Sequence, residues 1–190
     1  MQLVFVCSGN TCRSPLALCA WHLAVDEVAS QISAPKSGAR ALQRIEATSA
    51  GLGATPGAGA ALYAQQIART WGADLSGHRA QLFRPDHAKS DLILTMTAAQ
   101  SAVVRTHFEV GEKQVWRLGS YAPRRERIAE AARFAPLWGD SLAFSPLAQT
   151  GSEWDILDPF GGSLEAYEAC AVQIRRCVFE LARVLSGLEL

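Results

Sequence analysis

The chain has 190 residues and balanced charge, with 18 Lys+Arg against 18 Asp+Glu. Hydrophobic residues make up 49% of it and charged residues 19%, which excludes a disordered or fibrous chain. The zero net charge argues against a protein that binds nucleic acid or an anionic membrane through its overall field. The length predicts one domain spanning residues 1–190.

The amino terminus and the cysteines indicate in which cellular compartment the protein is expected. The apolar runs are far shorter than the roughly 20 residues of a membrane span. Residues 1–6 lack the basic region that opens a signal peptide. The five cysteines are an odd number, and without a secretory signal they favour reduced thiols in the cytoplasm over a disulfide framework.

Strands alternate with helices along most of the chain. Apolar runs predict strands at 3–6, 45–50, 91–96 and 114–118. Helical periodicity predicts helices at 16–30, 60–71, 98–107 and 163–185. This alternation predicts a parallel sheet with helices on both faces. Ser14-Pro15 is typical of a helix start, with Ser14 as the N-cap and Pro15 as the first helical residue.

The loop between the first strand and the first helix carries the strongest chemical signal. Gly9 and Asn10 permit left-handed backbone, so successive N–H groups can form a nest for an anion. The helix that follows offers its positive dipole end, and the planar fork of Arg13 can bind two oxygens of a tetrahedral oxyanion. The same field stabilises a thiolate, which predicts Cys7 as a nucleophile for in-line attack on phosphorus. A merely buried cysteine would leave Arg13 unexplained.

The loop also carries a family resemblance. The run Cys7-Ser8-Gly9-Asn10-Thr11-Cys12-Arg13-Ser14-Pro15 closely resembles the phosphate-binding loop of the low-molecular-weight protein tyrosine phosphatases. Three further stretches agree with that family: Ser49-Ala50-Gly51, residues 74–80 and Asp158-Pro159-Phe160. The resemblance implies an α/β fold, a doubly wound four-stranded parallel sheet flanked by helices, with the active site at the carboxyl end of the first strand. It covers most of the chain except residues 121–154, which we interpret as an insertion atypical of the family.

The resemblance also implies roles for individual residues. Phosphate is expected to bind the loop residues Ser8, Gly9, Asn10, Thr11, Cys12, Arg13 and Ser14. Catalysis is expected from Cys7, Arg13 and Asp158, with Asp158 as general acid and Asp155 as its neighbouring competitor. Phe160 can form an apolar wall beside Asp158.

Two side chains of the loop have a second predicted role. Ser14 can donate to the Cys7 sulfur and favour the thiolate as leaving group. Cys12 can form a reversible redox disulfide with Cys7, or it can be a small buried filler, and both readings stay open. Cys170 and Cys177, seven residues apart, are predicted to belong to the packing face of the last helix.

Thr11 and Phe160 bear on substrate selectivity. Tyrosine-directed relatives typically carry an aliphatic residue at the position of Thr11, whereas relatives acting on phosphoarginine look like this sequence there. Residues 51–59 contain no aromatic side chain to wall the pocket, which also favours a guanidinium over a phenyl ring. Phosphoarginine is therefore favoured and phosphotyrosine is the alternative. Trp138, Phe144 or Trp154, from the atypical segment, could still add to the pocket.

Two other functions are less well supported. An arsenate reductase would need further cysteines in mid-chain, and none occurs between Cys19 and Cys170. A non-catalytic oxyanion-binding module needs neither the thiolate of Cys7 nor the acid Asp158. The expected partner is a phosphorylated protein, with no nucleic acid and no membrane. No metal or organic cofactor is implied, because the loop and Arg13 supply the positive charge.

Overall fold

The computed structural model describes residues 1–31, 41–111, 113–121 and 154–187, and its four strands form one parallel sheet. The strands are β1 (Gln2–Cys7), β2 (Glu46–Gly51), β3 (Leu92–Thr95) and β4 (Val115–Arg117). Their order in the sheet is β2-β1-β3-β4. The chain therefore places β2 on one side of β1 and β3 and β4 on the other, which confirms the doubly wound parallel sheet. A reversal of this kind creates a crevice at the carboxyl end of β1.

Helices cover both faces of this sheet. They are α1 (Arg13–Gln31), α2 (Leu62–Thr70), α3 (Pro85–Ala88), α4 (Ala98–Phe108) and α5 (Leu164–Ser186). The short helix α3 and a 3-10 turn over Leu118–Tyr121 were not predicted from the sequence. None of the helices within the described ranges is long and apolar enough to cross a membrane.

Strand β1 is buried on both faces, as expected for a central parallel strand. Leu3 and Phe5 belong to the core between the sheet and helices α1 and α5. Val4 and Val6 point to the opposite face, where they share a smaller core with Val104 of α4. Because the backbone of β1 is held from both sides, Cys7 at its end has a fixed position.

The prediction that Ser14 caps the first helix is wrong. Helix α1 begins at Arg13, and its first backbone bond runs from Leu16 N to Cys12 O at 3.2 Å. Ser14 and Pro15 therefore lie inside the first turn. Pro15 is tolerated there because the first N–H groups of a helix have no intrahelical partner. The Ser14 hydroxyl is directed at the loop instead.

The two ends of the atypical segment predicted at 121–154 lie close to each other. A side chain at Gly119 would place its Cβ 2.0 Å from the Trp154 carbonyl oxygen, so only glycine fits at this backbone contact. Tyr121 and Trp154 are both buried. The sequence also predicts a short exposed helix at 124–135. This range, Trp138 and Phe144 all lie outside the described residues.

Candidate active site

The Cys7 sulfur lies at the closed end of the loop that joins β1 to α1. Asn10 has a left-handed φ of 52°. Its backbone N–H donates to Cys7 Sγ at 3.2 Å. The Ser14 hydroxyl lies 3.0 Å from the same sulfur and 3.3 Å from the Ala50 carbonyl, so its hydrogen can be donated to either. Donors directed at a sulfur beside a helix N-terminus stabilise negative charge on it.

Asn10 holds the loop in this shape. Its side-chain amide donates to the hydroxyls of Ser14 and Ser49, each at 2.9 Å, and its Oδ1 accepts from Gln81 N at 2.9 Å. His78 Nε2 lies 2.7 Å from the Asn10 backbone carbonyl. The fully buried Asn10 thus links the loop to α1, to β2 and to the segment that follows α2.

Arg13 crosses the mouth of the loop from the first turn of α1. One terminal nitrogen donates to the Ile156 carbonyl at 3.0 Å, and the other contacts the Ser8 hydroxyl at 3.4 Å and pairs with the carboxylate of Asp158. The arginine is only 2% exposed. Its Nε is buried without a hydrogen-bond partner in the described structure. The loop therefore contains a buried cation whose Nε–H has no partner among the described residues.

The two candidate acids have different surroundings. Asp155 accepts from the buried Arg117 at 3.1 Å and from the backbone N–H of Ala98 at 2.9 Å, so it serves as a structural bridge. The side chain of Asp158 is 42% exposed and pairs with Arg13, while its second oxygen accepts from Phe160 N at 3.2 Å. Of the two, Asp158 is the carboxylate that reaches the loop.

The backbone before Asp158 is docked on the sheet. Ile156 N donates to the Met96 carbonyl at 2.8 Å, just past the end of β3. The carbonyl of the same residue holds Arg13, as described above. The position of the acid relative to the loop is therefore fixed by the β3 edge and by Arg13.

Cys12 faces away from the sheet toward α5. Its sulfur lies 3.2 Å from the Tyr167 hydroxyl and 3.6 Å from the Thr11 hydroxyl. Burial raises the pKa of the Cys12 thiol and also that of Tyr167. The Tyr167 ring packs edge-on against Tyr63, with centroids 5.3 Å apart. Cys7 and Cys12 are both free thiols here, so their disulfide stays a prediction.

The prediction for the two distant cysteines is confirmed. Cys170 and Cys177 lie on the packing face of α5 within the main core. Burial raises the pKa of each thiol to about 12. Both are therefore neutral packing groups at physiological pH.

Several residues around the loop were missed at the level of sequence. Gln100 donates to the Ser8 hydroxyl at 3.0 Å and accepts from Met96 N at 2.9 Å. Tyr167 and Gln81 likewise contact the loop from distant segments. The sequence marks Tyr167 only as part of the packing stripe of α5, and no pattern distinguishes Gln100 or Gln81 from other polar residues.

The fold and the loop together define a class of enzyme. Residues 2–132 match the family model described as low molecular weight phosphotyrosine protein phosphatase. This range covers more than half of the chain, which therefore belongs to that family of cysteine-dependent phosphatases.

Similar proteins in this family are named as phosphatases for two different phosphorylated residues, arginine and tyrosine. The chain is 26% identical over 185 residues to the protein-arginine-phosphatase of Bacillus subtilis, covering 97% of each. It is 28% identical over 175 residues to the low molecular weight protein-tyrosine-phosphatase PtpB of Staphylococcus epidermidis, covering 92% of this chain and 91% of that relative. A solved structure of the arginine phosphatase YwlE shares the fold, with a TM-score of 0.69 at 23% identity over 96% of this chain and 94% of that one.

Proposed function

We propose that this chain hydrolyses a phosphorylated protein side chain through a phosphocysteine intermediate on Cys7. The observation that carries the proposal is the Cys7 sulfur, with Asn10 N at 3.2 Å and the Ser14 hydroxyl at 3.0 Å. A thiolate held by such donors at the base of an anion-binding loop is positioned to attack phosphorus. Membership of a phosphatase family supports the same chemistry.

The proposed reaction has two displacements at phosphorus. First, the Cys7 sulfur forms a bond to phosphorus while the bond from phosphorus to the substrate side chain breaks. Water then attacks the phosphocysteine, which releases inorganic phosphate and restores the Cys7 thiolate. Backbone N–H groups of residues 8–14 and the buried Arg13 stabilise the charge on the phosphoryl oxygens. The Nε of Arg13, which has no partner in the described part of the chain, gives these oxygens a further donor.

Asp158 supplies the proton transfers in this scheme. It protonates the leaving oxygen or nitrogen in the first step and accepts a proton from the attacking water in the second. When phosphate enters the loop, its oxygens replace the Asp158 carboxylate on Arg13 and release the acid for this work. Asp155 cannot substitute for it, because its carboxylate is engaged with Arg117 and the start of α4.

Phosphoarginine is the substrate that we favour. Thr11 places a hydroxyl beside Cys12 at the edge of the loop, where it makes the pocket smaller and more polar than an aliphatic side chain would. Relatives named as arginine phosphatases match almost the whole chain.

Phosphotyrosine is the second candidate. Tyr63 and Phe160 are exposed aromatic side chains on segments that contact the loop. A phenyl ring could pack against either of them. Relatives named as tyrosine phosphatases match the chain with comparable identity.

The mechanism is tested with a small aryl phosphate. Cys7→Ser is expected to lose turnover while still binding inorganic phosphate, measured by calorimetry. Asp158→Asn is expected to lower kcat by about 10²–10⁴-fold. The matched control Asp155→Asn should keep kcat within a few-fold of the wild type. Turnover that survives Cys7→Ser would refute the phosphocysteine mechanism.

The substrate class is tested with two peptides of one sequence, one carrying phosphoarginine and the other phosphotyrosine. The wild type should show the higher kcat/KM on the phosphoarginine peptide. Thr11→Ile should shift the ratio toward phosphotyrosine by about tenfold, which corresponds to about 1.4 kcal/mol of transition-state binding. A ratio that is unchanged by Thr11→Ile removes the basis for assigning selectivity to this side chain.

A further inference from the structure

Exposed apolar side chains are concentrated beside the candidate active site. Seven large apolar residues of the described chain are exposed, and four of them lie on two of the segments that contact the phosphate loop. These four are Leu62, Tyr63, Leu157 and Phe160. Scattered single apolar residues on a surface need no explanation, but a group around one opening does. Phe160 already has a place beside the acid, and the other three form what we call the apolar rim.

The first part of the rim is attached to the loop through backbone and ring contacts. Ala61 N donates to the Thr11 carbonyl at 2.9 Å, which fixes the start of α2 against the loop. Leu62 follows directly and is 81% exposed. Tyr63 packs on Tyr167, whose hydroxyl contacts Cys12. These side chains therefore flank the loop on the side of Thr11.

The second part of the rim lies between two residues that bind Arg13. The Ile156 carbonyl and the Asp158 carboxylate both contact this arginine, and Leu157 separates them in the chain. Ile156 is completely buried, whereas its neighbour Leu157 is 78% exposed. Leu157 thus projects from the segment that borders the phosphate site on the side of the acid.

The two segments that carry the rim contain almost no charged residues. Residues 51–63 contain no Asp, Glu, Lys or Arg. Residues 156–163 contain one charged side chain, the acid Asp158. On these two segments, a substrate residue next to the phosphorylated side chain would therefore meet apolar side chains and no charged one other than Asp158. Such a surface gains free energy by covering an apolar side chain.

We propose that the apolar rim of Leu62, Tyr63 and Leu157 binds an apolar side chain next to the phosphorylated residue of the protein substrate. This inference rests on the proposed phosphatase function and specifies the sequence context that the enzyme prefers. The rim borders the loop in which the phosphate is proposed to bind, so it lies within reach of the residues next to the phosphorylated side chain. Leucine-sized neighbours fit this surface, whereas charged or small polar neighbours gain nothing from it.

The test compares two phosphopeptides that differ only in the residues flanking the phosphoresidue, with leucine on both sides in one and serine in the other. The phosphoresidue is whichever the wild type hydrolyses faster. Partial burial of a leucine side chain predicts a kcat/KM about fivefold higher for the leucine peptide. The double variant Leu62→Ser, Leu157→Ser should bring this ratio to about one. The control Val172→Ser, which removes an exposed apolar side chain beside Trp71, should keep it.

The outcomes separate the rim from the catalytic mechanism. A wild type that hydrolyses a small aryl phosphate but shows a leucine-to-serine ratio near one refutes the rim alone. A wild type that hydrolyses no phosphorylated substrate refutes the proposed function and the rim with it. Sedimentation of the wild type and the double variant tests whether the rim instead joins two copies of the chain. A dimer that the double variant dissociates, together with a ratio near one, would overturn the proposal. The wild-type ratio needs no variant, so the test remains valid if the variants fail to fold.

Discussion

Gly51 is the position where a single added methyl group should do most harm to the phosphate loop. It ends β2 beside Cys7, and its N–H and carbonyl are bonded to Gln81 and Phe83 at 2.9 and 2.8 Å. A Cβ there would lie 2.7 Å from Asn10 N, 2.7 Å from Ser8 O and 2.9 Å from Gly9 C. All three are backbone atoms of the loop, so rotation of a side chain cannot relieve the contact.

The size of the effect follows from these distances. Ordinary carbon contacts need about 3.5–4.0 Å, so Gly51→Ala must displace the loop by roughly 1 Å or push β2 away. Overpacking of this kind costs about 1–3 kcal/mol of stability. A shift of about 1 Å in a positioned catalytic group can lower the rate by about 10²-fold. We therefore expect Gly51→Ala to fold with reduced stability and to lose about two orders of magnitude in kcat/KM.

The assay combines urea unfolding, aryl phosphate kinetics and competitive inhibition by inorganic phosphate. Gly53→Ala and Gly59→Ala are matched controls, because a Cβ at Gly53 comes no closer than 4.0 Å to the loop and one at Gly59 has no neighbour within 4 Å. Both controls should keep kcat/KM and the inhibition constant close to the wild type. If Gly51→Ala retains the kcat/KM of the Gly53→Ala control, the loop is not held as tightly as these distances require.

Three further predictions concern the surroundings of the site. Burial raises the pKa of the Cys177 thiol from 9.0 to about 12, so the stability that it contributes is complete below pH 9 and is lost as the pH rises toward 12. Cys177→Ala should reduce the loss of unfolding free energy between pH 8 and pH 10 by about 1.4 kcal/mol, measured by urea titration. Tyr167→Phe should keep the ring contact with Tyr63 but lose the hydroxyl contact with Cys12, which should lower the unfolding free energy by about 1 kcal/mol. An unchanged melting temperature would contradict a stabilising role for the contact with Cys12. Asp155→Asn should weaken the ion pair with Arg117 and lower the unfolding free energy by about 2 kcal/mol. If the variant unfolds with the same free energy as the wild type, the ion pair contributes nothing to stability.

Much of the fold was predictable because it follows from local patterns. Within the runs predicted at 3–6 and 91–96, residues 3–6 and 92–96 are buried, as expected for parallel strands covered by helices on both faces. The stripe of α5 follows the helical period, and Ser163 caps it by accepting from Ala166 N. Short elements such as α3 were missed, since four residues carry no periodicity.

The site was predictable in its central loop and, through the family resemblance, at Asp158, which the structure places against Arg13. The loop was predictable because Cys7, Arg13 and Ser14 lie within eight residues and form one sequence motif. The hydrogen bonds of Asn10 to Ser49 and Gln81, in contrast, join residues that are 39 and 71 positions apart. Such contacts depend on the register of the sheet, which no local pattern encodes. The misplaced helix start has the same origin, because the Ser14 hydroxyl turns to Cys7 and Asn10 and so does not cap the helix.

The contact between Gly119 and Trp154 has a consequence for how this enzyme can change. The chain leaves the sheet near Gly119 and rejoins it at Trp154, and the two backbones touch. Two residues after Trp154, Ile156 N donates to Met96 O at the end of β3. The sheet therefore positions Asp158 independently of the number of residues between Gly119 and Trp154. In general, the entropy of closing a loop rises by only about 0.6 kcal/mol for each doubling of its length. The backbone contact therefore closes the connection at its base, so residues can be inserted, deleted or replaced between its two ends while Asp158 and Cys7 keep their relative positions.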